Sequence, residues 1–469
     1  MSRSCTNGVD ELASGEIGRL IIRYSWPALV AMGLNALYAV VDRLYIGRGC
    51  GEAAMAGLSL TFPLMMLFGA FGVFIGAGHA AVLSIKLGEG DTDACERIAG
   101  ELVALKLAFF ALLAPVVFFN LDTILGWCGG GKVSPEAFDC ARRYMRIVLP
   151  SQLFAHLAFG LSALTRAEGG AVRSMVSMVV GFGANIVLDP ILIFGFGLGV
   201  EGAAWATDAA MLVSCLWAFG YYWRGNNVVA LRWRRVGLYR DLVARTLSIG
   251  FAPFLQQLLG AAINISLAAA FAYWAADNES ATTQIASLGV YQSMSILAVL
   301  PIFGVQQGLQ PIFGYNWGAR NFRRVREALT KGYWVTTAFC VAACVVQTVP
   351  PFPQFLASLF ADDANQRLVQ VAAHDLSIAN CMLWCISVNV VATTYFQSIG
   401  HPLVAIVLST LRQGVILLPC IWILPLFIAD STLAIWLALP VSDVLCQLAT
   451  IPPVVLHFRF LRKVRARRV

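Results

Sequence analysis

Solid apolar runs recur from one end of the chain to the other, separated by short polar segments. Each is about 20 residues or longer, enough for a helix to cross a hydrocarbon core of about 30 Å. The pattern predicts twelve helical spans, at roughly 20–46, 57–85, 100–126, 143–165, 172–198, 201–223, 245–272, 285–315, 332–360, 373–398, 403–428 and 432–457. The runs do not alternate polar with apolar, which excludes an outer-membrane barrel. Lipid cannot satisfy free backbone groups, so helices remain as the way across. Residues 1–19 carry Arg3, Asp10, Glu11, Glu16 and Arg19, with no short apolar core of the signal-peptide type.

Composition agrees with the pattern. Of 469 residues, 59% are hydrophobic and only 13% charged, too little charge to cover a soluble protein of this size. The net charge of +7 would suit nucleic acid if it were spread over one face, but it is not. Arg224, Arg232, Arg234, Arg235, Arg240 and Arg245 crowd the connection after span six. Arg320, Arg323, Arg324, Arg326 and Lys331 follow span eight, and Arg459, Arg462, Lys463, Arg465, Arg467 and Arg468 close the chain. The opposite side holds acidic tips: Asp277 with Glu279, Asp362 with Asp363, and Asp430. The positive-inside rule then puts both termini in the cytoplasm of a multi-pass protein of the cytoplasmic membrane. The basic clusters mark topology and contact with lipid headgroups rather than nucleic acid. Arg142, Arg143 and Arg146, entering span four from the outside, are the exception.

The two halves resemble each other at a shift of about 230 residues. Leu87-Gly88 matches Trp317-Gly318, Gly78 matches Gly308, "RAEG" at 166–169 matches "QSIG" at 397–400, Trp205 matches Trp436, and Pro27 matches Pro253. Each half holds six spans, so the repeats share one orientation, related by an axis along the membrane normal with a cavity between two lobes. The expected organisation is an N-terminal lobe at 1–223, a cytoplasmic linker at 224–245 and a C-terminal lobe at 246–469. Such a repeat favours alternating-access transport.

An intramembrane charge is expensive and marks an ion pathway or a pair. Asp42 in span one and Asp189 in span five stand out. At about 1.5 Å per residue, Asp42 lies roughly 33 Å and Asp189 roughly 25 Å along their helices, both in the outer half. Thr207 on span six and Tyr144 on span four fall near the same depth. Asn185 precedes Asp189 by one helical turn, and Asn35 precedes Asp42 by two turns on one face. Pro190 disfavours helical geometry at Asp189 and frees the carbonyl of Ile186. Oxygens gathered this way suit a proton relay or a Na⁺ ion. The repeat counterparts of Asp42 and Asp189, near Ala268 and at Cys420, carry no charge, so ion coupling is expected in the N-terminal lobe. Gln256, Gln257 and Asn264 on span seven, with Asn380 and Asn389 on span ten, are the polar groups of the other half. Asp375 reads as interfacial.

Other signals carry less. "GWCGGGKV" at 126–133 lacks the Ser or Thr that a phosphate-binding loop needs after Lys132, and it lies in an outside loop. The twelve cysteines are scattered and show no CxxC, so they read as small packing residues, with Cys128 and Cys140 as a pair able to bracket one loop. The five histidines are dispersed, and no triad or carboxylate pair points to an enzyme.

At this point the residues resemble a family. "WPALVAMGLNALYAVVDRLYIG" at 26–47, "SIKLGEGD" at 84–91, "NIVLDPILI" at 185–193, "EGAAWAT" at 201–207, "GVQQGLQPIFGYNWGA" at 304–319 and "YFQSIG" at 395–400 look like the ordered motifs of multidrug and toxic compound extrusion (MATE) transporters, in the prokaryotic branch with MepA-like exporters. The resemblance implies an all-α membrane protein with twelve transmembrane helices in two pseudo-symmetric six-helix bundles around a central cavity. It implies export of organic, often cationic, compounds by antiport with H⁺ or Na⁺ and no other cofactor. The family's coupling groups fall on Asp42, Asn185, Asp189, Thr207 and Tyr144. Some relatives carry another acid on the seventh helix, where this chain has Gln256 and Gln257. Candidates for the cavity wall are Met294, Tyr291, Phe254, Gln256 and Gln257. The expected partners are small-molecule drugs and membrane lipids, with the protein acting as a monomer. A dedicated exporter of one metabolite or peptide and a flippase for lipid-linked precursors are the rival readings.

Overall fold

In the computed structural model the described residues are 3–129, 133–223, 228–275, 278–359 and 366–466. Arg224, Asp277, Asp362, Asp363, Arg467, Arg468 and Lys132, noted above, lie outside them. Among the described residues every regular element is helical. Twelve helices are long and apolar enough to cross a membrane. They are Ile17–Gly51, Ala53–Glu89, Thr92–Phe119, Pro135–Ala167, Ala171–Gly195, Gly199–Trp223, Arg240–Trp274, Glu279–Gly318, Phe322–Thr348, Gln366–Ser398, Pro402–Leu426 and Ser431–Arg459, numbered below as spans one to twelve. Each matches one predicted span. Several outrun the bilayer: the 35 residues of span one are roughly 52 Å of helix, so it tilts or projects beyond the hydrocarbon.

The breaks follow local chemistry. Spans one and two are two helices joined directly through a kink at Gly51, whose φ of 78° and ψ of −173° only glycine adopts without strain. Between spans two and three, Gly90 takes a φ of 75° and Asp91 then caps the helix, accepting from the Ala94 N–H at 3.0 Å. The second half repeats the device: Arg320 takes a φ of 55° and Asn321 caps span nine. The repeat continues in the short helices Leu121–Trp127 and Phe352–Ser358, which follow spans three and nine. The run predicted at 332–360 is therefore two helices, because Val349 is extended and Pro350 and Pro351 cannot extend the ladder.

Span five also departs from expectation. Asp189 keeps helical geometry, and the α-helix runs on to Pro190. The missing proline N–H is absorbed one turn later, where Ile191–Gly195 widens into a π turn closed by Phe196 N–H on Ile191 O at 2.9 Å. π turns of this kind gather at functional sites.

The chain resolves into two compact units, Met1–Gly15 with Trp26–Gly250 and Glu16–Ser25 with Phe251–Val469. The boundaries fall inside spans one and seven. In the first unit the core is layered between spans two, three, four and six, with Phe68, Leu125, Met145 and Val148 fully buried. In the second, Trp436 is fully buried against Phe271, ring centres 5.0 Å apart. Cys128 and Cys140 are both free thiols.

Candidate functional site

Asp42, Asn185, Asp189, Thr207 and Tyr144 sit on spans one, five, six and four of the first unit, and all are buried. Asp189 and Asn185 are fully enclosed, and Asp42 is 8% exposed. The carboxyl groups of Asp42 and Asp189 approach closely enough to hydrogen-bond once one of them carries a proton. The Asn185 amide donates to Thr207 Oγ1 at 3.3 Å, and Thr207 donates to the carbonyl of Ala203 at 3.0 Å. Four acceptors are then left without a hydrogen-bond partner: Asp42 Oδ1, Asn185 Oδ1 and both oxygens of Asp189. Buried oxygens normally find a donor, so such a cluster is a demand for a cation. The donor set is oxygen only, which fits a proton or a hard cation such as Na⁺.

Asp42 opens onto a cavity of about 500 Å³ inside the first unit, lined also by Asn35, Tyr38, Tyr144, Gln152 and Thr207. Its walls also carry Phe159, Phe182, Met65 and Met211, so an apolar and polarisable surface lies beside the polar groups. Arg43, next in sequence, makes no direct ion pair with Asp42 among the described residues, though its charge acts on that carboxyl. Its guanidinium lies 5.5 Å from the centre of the Phe62 ring, and both residues line the same cavity.

Tyr38 is the member that sequence reasoning missed. One helical turn before Asp42, it faces both carboxyl groups and the Thr207 hydroxyl while its ring stacks on Phe182 at 5.5 Å. The i, i+4 spacing was the available signal.

The substrate-wall candidates lie in the second unit. Met294 is buried in a core cluster with Val290 and Leu376, and Tyr291 packs edge-on to Trp436 at 5.5 Å. Phe254 is half-buried against Phe251, Gln256 is half-buried and Gln257 is exposed.

Intramembrane charge is also more abundant than two aspartates. Glu101 and Lys106 on span three are fully buried, as is His79 on span two, whose Nε2 lies 3.6 Å from Glu101 Oε1. Asp208, beside Thr207, is buried with Oδ1 unpartnered. In the second unit Asp443 is 1% exposed and accepts from Arg412 Nε at 2.6 Å, where span eleven forms a π turn over Leu411–Leu417. Asp375, read above as interfacial, is buried and accepts from the Ser287 hydroxyl at 2.7 Å. The second half is therefore not free of buried carboxylates. Neither Asp443 nor Asp375 is the repeat counterpart of Asp42 or Asp189, which fall near Ala268 and at Cys420. The three outside-entering arginines are partly explained: Arg142 and Arg143 both pair with Asp139, and Arg143 also reaches Glu201.

Comparison with known proteins gives the same fold. The chain is 26% identical over 440 residues to the multidrug export protein MepA of Staphylococcus aureus (strain NCTC 8325 / PS 47), covering 92% of each. It is 25% identical over 413 residues to MepA of Staphylococcus haemolyticus (strain JCSC1435), covering 87% of each. A crystal structure of MATE in the bent conformation superposes with a TM-score of 0.89 at 22% identity, over 98% of this chain and 99% of that one. The MatE family model matches residues 27–191 and again 258–423, once in each half as the internal repeat requires. The chain belongs to the MatE family, a family of membrane transporters and not of enzymes.

Proposed function

We propose that this protein exports organic, often cationic, drug-like compounds across the cell membrane by antiport with H⁺ or Na⁺, with the coupling ion held at Asp42, Asp189 and Asn185. The observation that carries the reading is the set of four unpartnered buried oxygens beside a 500 Å³ cavity onto which one of the carboxylates opens. A cationic guest in that cavity and the coupling ion make the same demand on Asp42. Loading the ion neutralises the carboxyl pair and removes the electrostatic reason for the guest to stay. Releasing the ion on the other side restores it. Coupling needs the ion to favour one conformation over the other, since a ligand of equal affinity shifts nothing. Thr207 acts by holding Asn185 in place, and Tyr144 lines the same cavity beside them. The name of the MepA relatives, multidrug export protein, supports the substrate class. Both termini are placed in the cytoplasm, on the strength of the basic clusters.

Purified protein in liposomes, loaded with ethidium and given separately a pH gradient or a Na⁺ gradient, tests the reading. One gradient is expected to drive transport, and Asp42→Asn is expected to abolish the driven component. Wild-type rates from Asp42→Asn, or transport indifferent to both gradients, would sink it.

A further inference from the structure

Four titratable side chains that the Asp42 site does not use are buried on spans two, three and four of the first unit: His79, Glu101, Lys106 and His156. The first three are fully enclosed and His156 is 4% exposed. Nε2 of each histidine and Oε2 of Glu101 have no hydrogen-bond partner.

His79 and Glu101 meet with one proton too few. His79 Nδ1 lies 2.7 Å from the Ile75 carbonyl oxygen, which can only accept, so Nδ1 carries a hydrogen. The neutral ring then presents a bare lone pair at Nε2, 3.6 Å from Glu101 Oε1. An ionised carboxylate offers only lone pairs in return. Thr246 has one hydroxyl proton to divide between Glu101 Oε1 at 3.4 Å and Val243 O at 3.2 Å. Two acceptors enclosed against each other demand one more proton, held as a carboxylic acid or as an imidazolium. Lys106 is the complementary case. Its ammonium carries three N–H groups and reaches one acceptor, the Gly72 carbonyl at 3.4 Å, with no carboxylate paired to it among the described residues. His156 Nε2 shares that corner: a Cβ built on Gly72 would lie 3.4 Å from it, and the Lys106 charge acts on its ring. His156 otherwise meets Phe68, ring and backbone.

The four groups line one route. Gly72, Gly76 and His79 follow at i, i+4 and i+7 along one face of span two. Gly76 and Gly160 bring spans two and four together, a Cβ on Gly76 lying 3.8 Å from the Gly160 Cα. Gly72 and His79 are roughly 10 Å apart along this stripe. Lys106 reaches over it on a flexible four-carbon stem that leans toward the Glu101 end of its helix. At one end of the route, His156 is one turn from Gln152, which lines the Asp42 cavity. At the other, Glu101 follows Gly100, where a Cβ would fall 2.2 Å from the Arg235 carbonyl oxygen, so the route ends beneath the segment joining spans six and seven.

An amine and two imidazoles in a row carry protons and repel Na⁺. We propose that His79 and Glu101 bind one proton and exchange it with the Asp42 cavity through Lys106 and His156, so that the coupling ion is H⁺. This rests on the antiport reading above and narrows it. Moving inward, the Asp42–Asp189 pair gives its proton by way of the cavity to His156 Nε2, neutral Lys106 takes it as an ammonium, and ionised Glu101 takes it from Lys106. Each donor is left as its conjugate base. His79 Nε2 then accepts from the Glu101 acid.

Full-length protein in liposomes loaded with ethidium is assayed in two ways: net export driven by an imposed pH or Na⁺ gradient, and exchange of internal for external ethidium with no gradient. Exchange needs only the ethidium-loaded carrier and sends no proton along the route. In the wild type a pH gradient is expected to drive export and a Na⁺ gradient is not. Glu101→Gln keeps the shape of the carboxyl and lets its amide donate to His79 Nε2, and Lys106→Met keeps an unbranched stem. Each is expected to lower pH-driven export roughly a hundredfold while exchange stays within about twofold of wild type. Wild-type driven export from either variant overturns the proposal. So does loss of exchange in step with driven export in both variants, which assigns the groups to packing alone. A wild type driven by Na⁺ only also overturns it and leaves the antiport reading standing, whereas a wild type indifferent to both gradients removes that reading and this proposal together.

Discussion

Tyr38 shows how much one hydroxyl can carry. Its ring is held by Phe182, so Tyr38→Phe keeps the stack and removes only the oxygen that faces Asp42 and Asp189. A hydrogen bond to a charged group is worth about 1.5–3 kcal/mol, so ion-driven export should fall by roughly tenfold or more while the melting temperature stays put. A matching loss in melting temperature would mean the hydroxyl serves packing alone. Most of the polar cluster around Tyr38 was legible in the sequence. Asp42, Asn185, Asp189, Thr207 and Tyr144 could be placed at one depth by counting residues, because helical rise is constant. Tyr38 was not, because an aromatic in an apolar span reads as packing until its neighbours are known. Glu101, Lys106, Asp208 and Asp443 escaped for another reason. Glu101 and Asp443 are paired with His79 and Arg412 on other helices, and counting along a single span cannot find such pairs.

At the scale of helices, small residues decide how closely spans approach. A Cβ on Gly78 of span two would fall 1.9 Å from the Thr246 carbonyl oxygen, and one on its repeat partner Gly308 would fall 2.5 Å from Ser25 Oγ. The matched glycines are thus matched contact points, each taking the entry of another helix. Gly78→Ala must push backbone aside and should destabilise by about 1–3 kcal/mol, whereas Gly33→Ala, with nothing within 4 Å, should be neutral or stabilising. Melting curves in detergent compare the two, and equal melting temperatures would refute the contact. Helix number and order were legible because the apolar runs are long and clearly bounded. Helix ends were not, since helices continue past the lipid wherever caps such as Asp91 stop them. The π turn after Pro190 was hidden too, because proline signals a lost hydrogen bond without saying where the helix will absorb it.

For the chain as a whole, Glu168 ties the segment after span six to the first unit. Burial pushes its carboxyl up to about 7, against the lowering effect of the Val229 and Val228 N–H bonds. Released from the segment after span six, the carboxyl returns toward its ordinary value near 4.5. The docked form therefore holds its proton more tightly, and docking is strongest at low pH and weakens as pH rises through about 7. Trypsin cleavage at Arg232, Arg234 or Arg235 should accelerate between pH 6 and pH 8 beyond the protease's own pH dependence, and Glu168→Gln should remove that excess. An unchanged excess in Glu168→Gln would show that another group governs docking.

Chain connectivity gives the unit boundaries a consequence of their own. Residues Glu16–Ser25 complete the unit made mainly by the second half, and the helix up to Gly250 completes the one made by the first. A polypeptide severed between spans six and seven would leave each fragment carrying the missing strip of the other's fold. Complementation follows: two separately encoded halves should rescue each other, co-purifying through a tag on either one, while each made alone is degraded or aggregates. Halves that are monodisperse alone and ignore one another would refute this. Such a gene pair would behave as an exchanged-strand heterodimer, so a split of this transporter is expected to be obligate rather than modular.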